Sequence, residues 1–377
     1  MEDHTLYQLA LSRIRGIGPV HTKQLIRDFG DAAAVFHVDR IELERTGLPN
    51  HLIDAILQFS DYPVRRNELR HLQQIGARTL FFTDPDYPRR LLPFPNAPAL
   101  LFYQGTADLN AEKIIAVAGT RNPTEYGKQI TASLIRELAL PGLVVLSGLA
   151  FGIDAIAHKT AIKYRIPTIG VVGHGLDHLY PAEHRGLSRD IRRHGGLLTS
   201  FFHEKKAESH TFPARNQLIA WLCDALVVIE SGLHGGSLSA AKAALECPRQ
   251  IFALPGRITD EKSQGCLQLI HEQKAIPLLS ADQLMAAMAW KWPTGHLSHQ
   301  PALPFSPTEQ TNPETIRTGS ALETQLIHLL SEKQPRSFED LITLTRQPIP
   351  SISFALLNLE IKGIVRSLPG RRYHLAS

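Results

Sequence analysis

The chain has 377 residues, 43% of them hydrophobic and 20% charged, with a formal net charge of +4 and 18 histidines. Such a length exceeds one ordinary core and suits two or three domains. The three cysteines, Cys223, Cys247 and Cys266, form neither a CxxC pair nor a zinc pattern, which excludes a disulfide framework and reads as buried small apolar residues in a reducing compartment. The mildly basic balance permits nucleic-acid binding without requiring it.

The opening Met1-Glu2-Asp3-His4 carries no basic stretch leading into an apolar one, so no signal peptide is expected. No run approaches the ~20 apolar residues that span a bilayer. A cytoplasmic protein without a membrane partner is expected.

Residues 1–62 read as an N-terminal helical domain. Leu6, Leu9, Ala10 and Ile14 recur at helical spacing before the turn Gly16-Ile17-Gly18-Pro19, and a second helix is expected over Val20–Phe29. Leu52, Ile53, Ile56 and Leu57 mark another. A Gly-x-Gly turn between helices resembles a helix-hairpin-helix, whose amides can grip a phosphate. A tight interhelical turn using glycine for positive φ is the favoured explanation.

Residues 63–291 are expected to form the central domain, transitional in its first part up to about Asn110, where the run Leu100-Leu101-Phe102-Tyr103 leads to Gly105. Apolar runs then recur at Ile114–Ala118, Leu143–Leu146, Thr168–Val172, Leu197–Thr199, Leu226–Ile229 and Ile251–Leu254, the pattern of buried parallel strands. Helical stretches near 125–139, 153–164, 183–194, 214–223 and 237–246 separate them. This alternation predicts an α/β fold, an extended Rossmann-like doubly wound parallel sheet.

A glycine-rich or charged turn follows strand after strand. In a parallel sheet these turns gather at one edge, where amides and helix N-termini face an anion. The candidates for binding are Gly119, Thr120 and Arg121, then Ser147 and Gly148, then Arg215 and Asn216 at an expected helix start. Gly235, Gly236 and Ser237 are expected to open another helix with free amides and a capping hydroxyl. Lys205, Lys206 and Phe212 fall in a stretch where basic and aromatic residues interleave, the composition that a single-strand groove uses for backbone and bases. Within it Phe201 is expected in the core.

Machinery for covalent chemistry is missing. There is no Walker loop, no Gly-x-Ser-x-Gly elbow and no His-Glu-x-x-His, and Gly173-His174-Gly175 is a weak dinucleotide fingerprint. Asp154 and His158 lie four apart on one helix face, as a base and its orienting acid would. With no nucleophile or third ligand identifiable, a helix-start cap and a packed histidine are expected instead. Glu183, His184, His194, His203 and His210 are expected to be solvated, so no catalytic residue, cofactor or metal is expected.

Residues 292–320 form an expected linker holding Pro293, Pro301, Pro304, Pro307 and Pro313, too stiff and polar to pack. Residues 321–377 read as a winged helix-turn-helix domain, with helices near 322–332, 337–345 and 350–362 and strands at Val365–Leu368 and Arg371–Leu375. Its cations Lys362, Arg366, Arg371 and Arg372 suit either DNA phosphate or a solvated hairpin.

From Tyr87 to Ala275 the chain resembles the DNA-processing protein A (DprA, or Smf) family. The resemblance rests on Gly119-Thr120-Arg121, the SGxAxGID…AH element from Ser147 to His158, and the GLDxxYP element from Gly175 to Pro181. The FPxRN element from Phe212 to Asn216, the Gly-Gly-Ser-Leu helix start and Pro255-Gly256 follow in order, and the tail from Leu356 to Val365 resembles the family's winged-helix end. What this implies is a non-enzymatic homodimer that binds and shields single-stranded DNA. It would help load the RecA recombinase during natural transformation. On this resemblance Arg121, Arg215 and Asn216 match the DNA-pocket motifs, and Lys205, Lys206 and Phe212 the basic-aromatic segment. The pattern departs at Phe201 (usually Glu), Gln217 (commonly Arg) and Leu267 (usually Asn).

Two other classes compete. Phosphoribohydrolases of the lysine-decarboxylase-like type have a similar nucleotide-ready sheet edge, but their Pro-Gly-Gly-x-Gly-Thr loop is missing here. A scaffold recruiting partners through the winged helix is the third.

Overall fold

The computed structural model describes residues 2–292, 321–331, 335–368 and 372–375. The expected linker lies almost wholly outside the described residues. Two compact units divide the chain, residues 1–298 and 299–377.

The first unit opens with six helices: α1 (Glu2–Arg13), α2 (Pro19–Phe29), α3 (Ala32–Val35), α4 (Arg40–Arg45), α5 (Asn50–Leu57) and α6 (Tyr62–Gln74). Side-chain caps start two of them, Asp31 accepting from Ala34 N and Asp39 from Glu42 N, while Pro19 begins α2 where a missing N–H costs nothing. The helix α6 lies in the stretch that reads as transitional, because its residues are mostly polar and leave a thin apolar stripe.

A nine-stranded sheet follows. Its strands are β1 (Arg78–Phe81), β2 (Leu100–Gly105), β3 (Lys113–Ala118), β4 (Leu143–Ser147), β5 (Thr168–Val171), β6 (Gly195–Thr199), β7 (Ala225–Val228), β8 (Gln250–Ala253) and β9 (Ile276–Pro277). They lie in the order β1-β2-β6-β5-β4-β3-β7-β8-β9. Every strand from β3 to β9 is parallel to its neighbours among them, as the apolar runs predict. β1 and β2 add an antiparallel pair at one edge. Glycine lets β2 lie this close to β6: a Cβ on Gly196 would sit 2.4 Å from the Tyr103 ring.

The period of two sorts each strand between two cores. Ile114 and Ala116 face α10 (Thr211–Leu222), α11 (Gly236–Leu245) and α12 (Gln264–His271). Ile115 and Val117 face α7 (Glu125–Glu137), α8 (Ile153–Lys163) and α13 (Ala281–Ala287). A further helix, α9 (Arg185–His194), joins the second face through Leu187 and Ile191. On the edge pair, Phe81, Leu100 and Phe102 pack into the core of the N-terminal helices.

Chain order runs outward from β3 through β4 and β5 to β6, then returns to β7 on the other side of β3. The crevice between the carboxyl ends of β3 and β7 is therefore the topological switch point, where open α/β sheets hold ligands.

The second unit carries α14 (Ala321–Leu330), α15 (Phe338–Thr345) and α16 (Ile349–Ile361) over a sheet of β10 (Arg336–Ser337), β12 (Arg372–Leu375) and β11 (Val365–Leu368). Ser337 and Asp340 form a capping box at α15, and Leu326, Leu341, Ile352, Leu356 and Leu359 fill its core. This is the expected winged helix, with β10 in addition. Lys362 is held by Glu323 at 2.8 Å, so it is less free for phosphate than the exposed Arg366 and Arg372. Arg371 lies outside the described residues.

Candidate nucleic-acid interface

A cleft of about 510 Å³ opens at the switch point. The turn after β3, the loop after β4, the first half of α10 and the start of α11 enclose it. Gly119, Thr120, Arg121, Gly148, Phe212, Arg215, Asn216, Gly235, Gly236 and Ser237, all singled out in the sequence, line it together.

Two cations lie near the Phe212 ring. The Arg121 guanidinium carbon lies 5.8 Å from the ring centroid and that of Arg215 lies 5.6 Å away. Arg121 is exposed, Phe212 half-buried and Arg215 buried. A half-buried ring with two guanidinium groups close by can stack a base while its neighbours meet the backbone.

Arg215 is not at a helix start. α10 begins at Thr211, so Arg215 and Asn216 sit in its second turn; Pro213 belongs to the first turn, where it is tolerated, rather than before the helix. Arg215 therefore points under the β4 loop. Its Nη1 donates to Val171 O at 3.4 Å, and burial pushes its pKa down, with Asp154 opposing. Asp154 accepts from Gly148 N at 3.1 Å and Ala150 N at 3.3 Å. Burial pushes its carboxyl up, while Arg215 and the two amides pull it back. Asp154 thus secures the loop's own amides, and His158, buried with Nδ1 2.7 Å from Thr168 Oγ1, is packed beneath the sheet edge. Neither has the geometry of a catalytic dyad.

Asn216 is a brace: its Nδ2 donates to Gly236 O at 3.3 Å and Ser239 Oγ at 2.9 Å, tying α10 to α11. The start of α11 differs from expectation. Gly235 is the cap and no side chain bonds the first amides. The Ser237 hydroxyl instead donates to Ser231 Oγ at 2.8 Å, because residue 237 already lies inside the helix. A helix of ten residues thus opens on the cleft with no side-chain cap, a favourable seat for an anion. Ser147 is fully buried and donates to Val117 O at 2.7 Å, so its hydroxyl braces β4 against β3.

Glu230 is a feature the sequence did not announce. Buried at the end of β7, it accepts from Thr124 N at 2.9 Å and from the Thr124 hydroxyl. Its carboxylate occupies the N-terminus of α7, which leaves α11 as the open one of the two helix starts flanking the switch point. Only its place after a buried apolar strand hinted at it.

Lys205 and Lys206 line a separate hollow with Phe201, Phe202 and Glu204. Lys205 is paired with Glu208 at 2.7 Å. Phe202, not Phe201, packs inward against Phe102, with the Arg13 guanidinium 3.7 Å over its ring; Phe201 stays half-buried at the rim. Alternation along the chain after β6 turns the second ring toward the core. A narrow recess beside the cleft adds Phe151, His174 and Tyr180. Phe151 and Tyr180 are 38% and 43% exposed; an aromatic ring inside a glycine-rich turn was the available signal.

Cys223 and Cys266 are buried, with burial pushing both thiols up to about 12, while Cys247 is partly exposed. No helix among the described residues is long and apolar enough to cross a membrane.

Residues 78–289 match the family model described as DNA recombination-mediator protein A, and residues 307–371 match the DprA winged helix domain. The chain is similar to Protein Smf of Synechocystis sp., 33% identical over 97% of this chain and 98% of that one. It also resembles the X-ray structure of DNA processing protein A from Streptococcus pneumoniae, at TM-score 0.58 and 29% identity over 77% of this chain and 99% of the other. A DNA processing protein A structure from Helicobacter pylori, described for its single-stranded DNA binding mode, aligns at TM-score 0.52 and 29% identity, covering 57% of this chain and 96% of that one.

Proposed function

The chain belongs to the DNA recombination-mediator protein A family, and on that premise we propose that it binds and shields single-stranded DNA in the switch-point cleft without reacting with it. Loading of the RecA recombinase during natural transformation, by a cytoplasmic homodimer, is part of this reading. The observation that carries it is Phe212 with Arg121 and Arg215 both close to its ring, beside the α11 N-terminus, which no side chain caps. Rings for bases, guanidinium groups for phosphates and free amides for an anion are what a sequence-tolerant single-strand groove requires. The Helicobacter pylori relative, described for that binding mode, supports the same reading. Domains at 1–62, 63–291 and 321–377 fit it as helical, DNA-holding and winged-helix parts.

Fluorescence anisotropy with labelled oligo-dT tests the idea. Affinity should fall linearly on a log–log salt plot, with a slope of about −0.7 per phosphate contacted, and duplex of equal length should bind more weakly. No binding at low salt ends the proposal. Incubation with nucleoside monophosphates should release no free base; release would favour an enzyme.

A further inference from the structure

A second cluster lies where the N-terminal helices meet the loops of the sheet. His71 on α6, Asp177 between β5 and α9, and His203 after β6 converge there. His71 Nε2 is 2.7 Å from Asp177 Oδ1, and His203 Nδ1 is 2.7 Å from Asp177 Oδ2. The imidazole rings stand 5.0 Å apart. One ligand atom from each of the three residues falls within 4.8 Å of the others. We propose that His71, Asp177 and His203 bind a divalent transition metal of the zinc class, which ties α6 to the two loops.

Two imidazoles and a carboxylate form a donor set that suits zinc and its neighbours better than magnesium or calcium, which prefer oxygen alone. Around zinc with bonds of ~2.1 Å, ligand atoms stand about 3.4 Å apart. The three ligand atoms already lie within 4.8 Å of one another, and binding would exchange the two 2.7 Å histidine–carboxylate contacts for bonds to the ion. The side chains of His71, Asp177 and His203 are 38%, 27% and 22% exposed, so an ion can enter and water can complete its shell.

The surroundings are arranged for such an ion. With His203 Nδ1 given to the metal, its Nε2 faces Glu204 Oε2 at 3.4 Å and Glu68 Oε1 at 3.7 Å. A carboxylate behind a ligating imidazole orients the ring and raises its basicity. Arg13 holds both acids and Arg65 holds Glu68, which keeps those carboxylates in the outer shell. Three carboxylates thus meet two guanidinium groups, a surplus of one negative charge when the imidazoles are neutral. The backbone is pinned already, since Asp177 N donates to His203 O at 3.3 Å and Gly175 N to Lys205 O at 2.7 Å. A bound ion would further order the loop that carries Lys205 and Lys206. This differs from the expectation that His203 is simply solvated, and the reason is that α6 brings His71 against it across 132 residues of chain, 203 minus 71.

The full-length chain, stripped with EDTA and exchanged into chelator-free buffer, is titrated with zinc sulfate by calorimetry. One zinc should bind per chain, and the melting temperature should rise with zinc concentration. His71→Ala and His203→Ala should each weaken binding at least as much as the roughly 10–100-fold that loss of an outer-shell partner costs. His51→Ala, an exposed histidine elsewhere, should change nothing. Because a variant can lose its fold, cobalt(II) added to the unaltered protein supplies a second readout: its visible bands should shift from those of the aqueous ion and vanish on adding zinc. Absence of saturable uptake at millimolar zinc, an unshifted cobalt spectrum, or undiminished affinity in folded His71→Ala and His203→Ala would each overturn the assignment.

Discussion

Arg215 and Asp154 both close on the backbone of Gly148: a Cβ at that position would stand 1.5 Å from Arg215 Nη1 and 2.8 Å from Asp154 Oδ2. The absence of a side chain is what lets a buried guanidinium reach the floor of the cleft. Gly148→Ala should therefore displace Arg215, costing about 1–3 kcal/mol of stability as overpacking does and lowering affinity for oligo-dT. Urea unfolding and anisotropy check both. An unchanged urea midpoint with unchanged affinity would show that Arg215 can move aside freely.

The two cleft arginines should separate binding from stability. Arg121 is exposed, so Arg121→Ala should leave stability within about 0.5 kcal/mol and reduce the salt slope by about 0.7, one phosphate contact. Arg215 is 6% exposed. Its removal takes away the cation that opposes burial of the Asp154 carboxylate, so Arg215→Ala should cost about 1–3 kcal/mol, more than Arg121→Ala. Equal unfolding midpoints for the two variants would contradict the burial argument.

Glu230 contributes through α7 and does not line the cleft. Glu230→Gln keeps the shape but removes the charge facing the Thr124 amide and hydroxyl, for an expected cost of about 1–3 kcal/mol. Thermal unfolding reads that loss. Affinity for oligo-dT should hold steady, and a large drop would place Glu230 nearer the bound strand than its burial implies.

Acid stability should depend on His158. Burial pushes its imidazole down to about 3, against an unfolded value of about 6.5. Between those values the unfolded chain binds a proton that the folded chain does not, so stability rises with pH across that window and is lost as pH falls through it. By about pH 5 this residue alone should remove about 2 kcal/mol. Urea midpoints measured from neutral pH downward should fall more steeply for the natural chain than for His158→Asn, by about one proton. Parallel curves would mean that the imidazole titrates normally.

The parallel strands and most helices of the central domain were legible because each is a short window with its own period: Ile114–Ala118 reads as a two-sided buried strand wherever it occurs, and β3 spans Lys113–Ala118. Members of the cleft were legible for the same reason, since glycine, arginine and proline at strand ends carry local meaning. Helix α6 and the antiparallel pair β1–β2 were not, because a mostly polar helix and a strand pair added at one side of the sheet owe their stability to packing against each other's apolar face.

Local chemistry along the chain is enough to determine a doubly wound sheet, a switch-point crevice and a winged helix, because hydrophobic period and turn residues act within about ten positions. Which cation is buried, which helix start stays open and which histidine meets a carboxylate were decided only in three dimensions. Arg215 under Gly148, Glu230 on Thr124 and His203 beside His71 are each separated by 67 or more residues of chain. No short stretch encodes such a meeting; it follows from how the layers pack, and the burial that results sets the charge each group can keep.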